Sequence, residues 1–574
     1  TLVAGSLGVV PPAVLISGGH NLVGSTDSTV FNAPGDQVGT PAVPIALRLS
    51  PLAYHGGPVP TQVPLAGNPA LDKGRRSGAD ARGLRSFDIA SIAAATSGDD
   101  SDIGAVEAQA LFVNNTNDSG PGSLREAVFD ANANGVALDD VLFDLPPAST
   151  INLSSRLPNP VAGGALNLLG PGANQLTVTG SNAHQLFSFT APGHLGLSRL
   201  TLSAFRGVDG PALEAYQTEV HLTELQVLSN AASRDGGAML IGDADMVIES
   251  STFAGNTAAG NHGALAYLGN NSRLVVRNST FSGNGGPSSS AIANVARSTG
   301  ASVVELESST LAGNIGSAAL NSVASSSGAA VTRARNTLFS GASSSILNSG
   351  GNASFVSLGF NLSSTTEPLL NQSTDRVNAN PNLGPLQNNG GATFTRALQI
   401  PSAAIDAGIR SVDADQRGNP RTLDLLSIAN APGSDGTDIG AFELQAAPDN
   451  PPVLGLNPAV GTIFYSTSGT ASPIVATPSG GSGSGQGATT TLGACNITAG
   501  GAAFPTTLTA QLSFVGNTST AQNLNLPNCV PQSTVTSATL SCPVVSGTAA
   551  PLTRTWTLNC PAMLPDPIFR NGFE

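Results

Sequence analysis

The sequence predicts an all-β protein, a right-handed parallel β-helix (a solenoid) followed by a small immunoglobulin-like β-sandwich. A six-residue phrase recurs at 251–256, 279–284 and 309–314, with a fainter copy at 336–341. Counted between the threonines, the steps are 28, 30 and 27 residues, a period typical of solenoids whose repeats bury their apolar faces on one another. Only 10% of the residues are charged, and 67 are Gly and 39 Pro, which favours short strands joined by turns over helices.

The strands are predicted from the residues before each phrase. Pairs of aliphatic residues alternate with other side chains at equivalent positions, which is the period of a strand: Met246 and Ile248, Leu274 and Val276, Val304 and Leu306. Glu249, Arg277 and Glu307 follow them, so stacked coils would carry an outward column of alternating charge. In the fourth copy Arg333 falls where an inward aliphatic is expected, which predicts a bulge or register change there.

Each full phrase ends in asparagine. Stacking of the coils would place Asn256, Asn284 and Asn314 in one column, where each amide bonds the next. The sequence therefore predicts an asparagine ladder.

Charge and cysteine content limit the partners and the compartment. A net charge of −14 argues against nucleic acid and anionic lipid, and no apolar run is long enough for a membrane span. The chain begins at Thr1, as expected if a leader was removed or if it belongs to a longer product. All four cysteines, Cys495, Cys529, Cys542 and Cys560, lie in the last 80 residues. This clustering predicts disulfides in an oxidising compartment, with all three pairings open, whereas zinc lacks a CxxC spacing.

A long motif occurs twice. Residues 80–83 and 102–107 (Asp-Ala-Arg-Gly and Asp-Ile-Gly-Ala-Val-Glu) match 415–418 and 438–443 (Asp-Gln-Arg-Gly and Asp-Ile-Gly-Ala-Phe-Glu). We therefore expect residues 1–110 to be the end of one β-helix unit with its closing motif. A complete second unit then spans 111–444, with coils at about 140–400 and a closing motif at 404–443.

These runs resemble the closing region of bacterial surface β-helix proteins labelled choice-of-anchor Q, in which such a run ends the solenoid. Residues 113–128 look like the CSLREA-type motif that starts many such β-helices, although Gly122 stands where the name-giving Cys would be. The resemblance implies export by a Gram-negative bacterium, and it implies no reaction. Ser123 and Glu126 have capping-box spacing, so a helix near 123–132 would cover the open end of the solenoid.

After a Pro-rich linker at 445–452, residues 453–562 are predicted to form the disulfide-bonded sandwich with the chain's one Trp in its core. This region is similar to sandwich repeats of gammaproteobacterial surface proteins. Residues 563–574 resemble a short tail of exported proteins from the same bacteria.

Catalytic candidates are few, and each has a structural interpretation. Asp243 with Asp245 fits a turn, and Asp139 with Asp140 fits a solvated loop. The closing-motif set is better explained by carboxylate–guanidinium pairing, since Arg82 and Arg85 stand at matching points of the first copy: Asp415, Arg417, Arg421, Asp438 and Glu443. We therefore predict no enzyme and no cofactor, with calcium at these carboxylates as the alternative. The six histidines form no HxxxH or HxH pair.

The expected function is an extracellular structural or adhesive protein whose partner is a cell surface, a glycan or a second copy of itself. The apolar segment 1–18 and the C-terminal domain would be the contacts of a head-to-tail filament. Alternatively, residues 1–18 complete this chain's own first coil. The competing class is a polysaccharide lyase or hydrolase, or a carbohydrate-binding rod, using a lateral groove of the β-helix.

Overall fold

The structure, a computed structural model, divides into two units, Thr1–Glu443 and Leu444–Glu574, and each is described by itself. In the first unit it describes residues 1–6, 16–26, 30–75, 78–297, 299–324, 327–341, 345–425 and 428–443. In the second it describes 444–445, 453–457, 461–465, 470–479, 489–492, 494–498, 503–504, 507–508, 512–515, 522–532, 534, 536–546 and 552–562.

The first unit is built almost entirely of short strands. In chain order its elements are β1 (Leu2–Ser6), β2 (Leu22–Ser25), β3 (Gln37–Val38), β4 (Ala110–Val113), α1 (Leu124–Ala133), β5 (Leu138–Phe143), β6 (Ser149–Asn152), β7 (Ala165–Leu169), β8 (Leu176–Thr179), β9 (Ser188–Ser198), β10 (Thr201–Ser203), β11 (Arg206–Gly207), β12 (Leu213–Thr223), β13 (Gln226–Leu228), β14 (Ala231–Ala232), β15 (Met239–Gly242), β16 (Met246–Glu249), β17 (Thr252–Ala254), β18 (Thr257–Ala258), β19 (Leu265–Gly269), β20 (Ser272–Arg277), β21 (Thr280–Ser282), β22 (Ile292–Ala296), β23 (Ala301–Glu307), β24 (Thr310–Ala312), β25 (Leu320–Ala324), β26 (Ala329–Arg335), β27 (Leu338–Ser340), β28 (Ile346–Ser349), β29 (Ala353–Ser357), β30 (Leu362–Ser363), β31 (Leu383–Gln387) and β32 (Thr395–Leu398).

Parallel pairing of these strands confirms the predicted β-helix over residues 110–363. One face, here called the short-strand face, is a nine-stranded sheet that runs from β6 to β30. The long strand β12 pairs with β15 through its first half and with β16 through its second half, so it bends across two further faces. We call the column β16, β20, β23, β26 and β29 the second long face.

The coils turn through single residues with positive φ. One such corner lies between the second long face and the short-strand face, at Arg199, Glu224, Ser250, Asn278, Ser308 and Asn336. The next follows the short strand, where Gly255, Gly283 and Gly313 have φ of 63°, 65° and 66°. The glycine of the repeated phrase is therefore explained by a left-handed conformation that other residues adopt at a cost.

The interior is a continuous column of apolar side chains. Phe253 and Phe281 stack with ring centroids 4.7 Å apart and an angle of 5° between their planes. Parallel pairing in register places like residues on top of one another, which is why the same type of side chain recurs at one point in successive coils.

The predicted register holds for the three full copies, since Met246, Leu274 and Val304 pair in sequence. The prediction at Arg333 is wrong. Arg333 pairs with Glu305 and lies on the outside, while Thr332 and Ala334 take the inward positions without a bulge. The fourth phrase is offset by one residue from the other three, because Leu338 and not Thr337 pairs with Thr310.

The asparagine ladder is confirmed and is one rung longer than predicted. The side-chain amide of Asn230 donates to Asn256 Oδ1 (2.9 Å), Asn256 donates to Asn284 (3.0 Å), and Asn284 donates to Asn314 (2.9 Å). The same Oδ1 atoms also accept the backbone N–H of the preceding asparagine. Two hydrogen bonds therefore join each pair of consecutive asparagines in the ladder.

The predicted helix is α1. Ser123 Oγ accepts the N–H of Glu126 (3.2 Å), but the Ser123 N–H bonds Gly120 O (3.1 Å), so the capping box forms on one side only. Leu124, Ala127, Val128 and Ala131 are buried in the main core, which fits the prediction that the helix covers the end of the solenoid.

The second unit consists of two sheets around a core that contains Trp556. Its strands are β33 (Val453–Asn457), β34 (Gly461–Phe464), β35 (Ile474–Ser479), β36 (Thr489–Leu492), β37 (Cys495–Thr498), β38 (Thr507–Leu508), β39 (Leu512–Val515), β40 (Gln522–Leu524), β41 (Thr536–Ser546) and β42 (Leu552–Cys560). Disulfides join Cys495 to Cys542 and Cys529 to Cys560, which selects one of the three pairings. The immunoglobulin-like strand order stays a prediction. The linker residues 446–452 and the tail 563–574 lie outside the described residues.

Candidate functional site

The two closing motifs fold alike, down to individual hydrogen bonds. In the first copy, the Asp102 carboxylate accepts the backbone N–H of Asp72 (2.8 Å), and Glu107 accepts the backbone N–H of Asp102 (3.0 Å). In the second copy, Asp438 accepts the N–H of Asp406 (2.8 Å), and Glu443 accepts the N–H of Asp438 (3.0 Å). The duplication seen in the sequence is therefore a duplication of structure.

The second closing segment, 383–443, folds back along the side of the solenoid. Gln416 accepts a hydrogen bond from Thr280 Oγ1 (2.6 Å) and donates one to Thr252 Oγ1 (2.9 Å). The N–H of Ala441 donates to Thr310 Oγ1 (2.9 Å). The repeated threonines thus form a docking row for this segment. Besides following the last coil, the segment that contains the closing motif covers the corners of earlier coils.

Ion pairs hold this segment together. Arg417 pairs with Asp415 (2.7 Å), and its guanidinium carbon lies 3.6 Å from the centroid of the Phe442 ring. The buried Arg421 pairs with Glu443 (3.4 Å) and donates to Asn278 Oδ1 (3.0 Å). Since guanidinium groups and backbone N–H groups occupy these carboxylates, the geometry favours the structural interpretation over a calcium site.

The first copy departs from the prediction in two places. Arg85 is exposed and does not take the place of Arg421. Asp140 is buried, not solvated, and receives two bonds from Arg82 (3.0 and 3.2 Å) and one from Asn167 (2.8 Å). Asp139 is also buried and accepts from Asn134 (2.6 Å). Asp140 therefore fastens the first closing motif to the start of the second β-helix.

The remaining aspartate pair belongs to a turn, as predicted. Asp243 is exposed and has a φ of 53°. Asp245 accepts the backbone N–H of Arg273 from the next coil (2.8 Å). Both residues thus have a structural explanation.

A groove lies between the second long face and the closing segment. Its volume is about 520 Å³, and its walls include Glu224, Glu249, Arg277, Glu307 and residues 411–418. Burial raises the pKa values of Glu224 and Glu249, against the opposing effects of Arg199 and Arg277. Arg277 pairs with Glu307 (3.1 Å). This groove is the candidate site for a saccharide.

No sequence motif pointed to a group formed by His194, Glu219 and His221, whose potential ligand atoms lie within 4.8 Å of one another. Motif spacing within one strand could not reveal it. The available signal was the coil period, because 25 residues, one coil, separate His194 from Glu219.

No protein-family model matches this chain, and a search of curated proteins finds no match.

None of the described segments forms a helix with the length and apolar character that a membrane span requires.

Proposed function

We propose that the chain is an exported structural or adhesive β-helix protein, a rigid rod that presents its lateral surface to a partner at a bacterial cell surface. One observation carries the proposal: carboxylates along the lateral faces are engaged by neighbours in the fold. Glu305 pairs with both Arg273 and Arg333, and Glu307 pairs with Arg277. Such cross-coil pairs occupy these carboxylates and leave them less available for proton transfer.

The cysteines support export. Both disulfides lie in the second unit and all four sulfurs are paired. Disulfides persist in oxidising compartments, which for a bacterium means the periplasm or the outside.

The filament form of this proposal depends on the N-terminal segment. β1 pairs in parallel with β2, so residues 2–6 add to this chain's own coil. Residues 7–15 lie outside the described part. Head-to-tail contact through the segment and the second unit therefore has to be tested by imaging.

Negative-stain electron microscopy of the native secreted protein tests whether it forms rods and whether the rods join into filaments. We expect rods in the extracellular fraction. We also expect loss of adherence in a strain lacking the protein. Regular fibres would support the filament form and isolated rods would exclude it. A protein found only in the cytoplasm would contradict the proposal as a whole.

The groove favours a second candidate, a carbohydrate-binding or polysaccharide-cleaving rod. A raised pKa keeps a carboxyl group protonated to higher pH, as a general acid requires, and Glu224 and Glu249 share this property. The test compares wild type with Glu224→Gln, Glu249→Gln and the control Glu305→Gln for release of reducing ends or unsaturated products. If cleavage occurs in this groove, the first two variants lose roughly 100-fold or more in rate and the control does not. A wild type that neither binds nor cleaves any glycan would remove this candidate.

A further inference from the structure

Two strands place His194, Glu219 and His221 side by side. His194 lies on β9, and Glu219 and His221 lie on β12. In the parallel register Glu219 is directly beside His194, while His221 is beside Gly196. Residues two apart on a strand point to the same face, so all three side chains share one side of the sheet.

The gap at Gly196 makes room for the cluster. A Cβ at this position would lie 2.2 Å from Asn167 Oδ1 and 3.5 Å from His194 Nε2. The lack of a side chain therefore leaves room for Asn167 and for the ring of His194. The ring centroids of His194 and His221 are 5.2 Å apart.

The distances suit a small metal ion. His221 Nε2 lies 2.8 Å from Glu219 Oε1, and His194 Nδ1 lies 3.6 Å from Glu219 Oε2. Ligands at about 2.0–2.2 Å in a tetrahedral arrangement are about 3.4 Å from one another. The observed separations bracket that value, so small side-chain rotations would bring three ligand atoms around one ion.

The cluster is buried except at its carboxylate. The two imidazoles are only 8% and 7% exposed. The Glu219 side chain is 52% exposed, which leaves a path for an ion from solvent.

Residues that precede the first closing motif pack against the cluster. Tyr54 places its ring edge-on to His221, with the ring centroids 5.5 Å apart.

We propose that His194, Glu219 and His221 bind one divalent transition-metal ion of the Zn²⁺ class, with a fourth coordination position open to water or to a ligand. Two imidazoles and one carboxylate suit zinc and its first-row neighbours, whereas calcium takes six or more oxygen ligands. The competing explanation is a plain hydrogen-bonded His–Glu–His group that binds no metal.

The test uses the full-length protein, stripped with chelator and titrated with Zn²⁺ by calorimetry, with Co²⁺ absorption as a second readout. We expect one strong site per chain, tetrahedral Co²⁺ bands and binding that weakens as the pH falls, because protons compete for the imidazoles. Glu219→Gln should weaken Zn²⁺ binding by at least the ~10-fold that loss of an outer-shell partner costs. His221→Gln should weaken it further.

Glu214→Gln is the matched control, because Glu214 lies on the same strand β12 and bonds Ser188 instead of the histidines. It removes one negative charge and should leave Zn²⁺ affinity unchanged. Circular dichroism of each variant establishes that the β-helix has folded. Weak, multiple-site binding that Glu219→Gln leaves unaltered would show adsorption to the acidic surface and overturn the proposal, as would the absence of binding.

Discussion

At the residue scale, single buried side chains join neighbouring coils. Asn256 and Asn284 each have partners in the coils on both sides, through an amide that donates and an oxygen that accepts twice. An aliphatic residue of similar volume could fill the space but would leave backbone groups of the neighbouring coils unpaired. This explains why Asn recurs at each rung of the ladder, whereas equivalent core positions hold different aliphatic residues.

Asn284→Ala should therefore destabilise the first unit strongly. The change removes the acceptor of the Asn256 N–H and the donor to Phe253 O, both at buried positions. At about 1–3 kcal/mol for each of these two unsatisfied groups, we expect a loss of about 2–6 kcal/mol. Urea denaturation followed by circular dichroism measures it. Exposed Asn117→Ala is the control, and equal midpoints for the two variants would contradict the role of the ladder.

A buried carboxyl group gives a prediction of pH dependence. Burial raises the pKa of Asp139 to about 6, against the opposing bond from Asn134. Because this folded-state pKa exceeds the unfolded value of about 3.9, the folded protein holds the proton more tightly. The contribution to the free energy of unfolding is therefore full below pH ~4 and is lost as the pH rises through ~6.

Asp139→Asn mimics the protonated form and should stabilise the protein at pH 8 by about 1–2 kcal/mol, with the difference vanishing at pH 4. Denaturant midpoints at several pH values provide the measurement. Exposed Asp144→Asn serves as the control. A stability gain that is the same at every pH would show that another effect of the substitution dominates.

The closing segment is the feature that matters most at the scale of elements. It turns an exposed row of threonines into a buried interface, with Gln416 at the centre of that contact. The first closing motif has Ala81 at the matching position and instead uses Arg82 to hold Asp140. Two copies of one motif thus fasten onto β-helix coils by different side chains.

Gln416→Ala should loosen this segment and leave the coils folded. The variant loses hydrogen bonds to Thr252, Thr280 and Thr393, for which we expect a cost of about 2–3 kcal/mol. Hydrogen exchange should rise in peptides from residues 383–443 and stay low in the asparagine-ladder strands. Gln399→Ala, at an exposed position, is the control. Unchanged exchange in the closing segment would show that Gln416 does not anchor it.

Much of the solenoid could be predicted because its repeats are local. Successive coils place residues 25–30 positions apart at the same point, so the ladder, the alternating charges and the corner glycines are visible in one sequence. The fourth repeat is harder to predict because Thr337 matches the threonine of the phrase in sequence, while Leu338 occupies the structural position of that threonine.

The contacts of the closing segment had no such signal. Gln416 and Thr252 are 164 residues apart, and nothing in either neighbourhood specifies where the returning chain lies. The His194–Glu219–His221 cluster was missed for a related reason. Two coils share it, and its residues are adjacent only once the strand register is known. Motif searches along one strand do not detect such groups.

At the scale of the whole molecule, the two units are stabilised by different means. The first has a long apolar column, hydrogen-bonded ladders and no cysteine, whereas the second has a small core and both disulfides. The bonded cysteines are 47 and 31 residues apart in sequence, and closing loops of this size stabilises a fold by roughly 3–4 kcal/mol each in the chain-entropy account. Reduction should therefore affect the second unit alone.

The single Trp makes this prediction testable without separating the units. Trp556 is buried in the core of the second unit, so its fluorescence reports on that unit, whereas far-UV circular dichroism is dominated by the β-helix. We expect dithiothreitol to shift the fluorescence transition to lower temperature and to leave most of the dichroism transition in place. Cys529→Ala with Cys560→Ala should reproduce part of the fluorescence shift without reductant. If both signals moved together, the stability of the β-helix would depend on the second unit, and the two could not be treated as independent folding units.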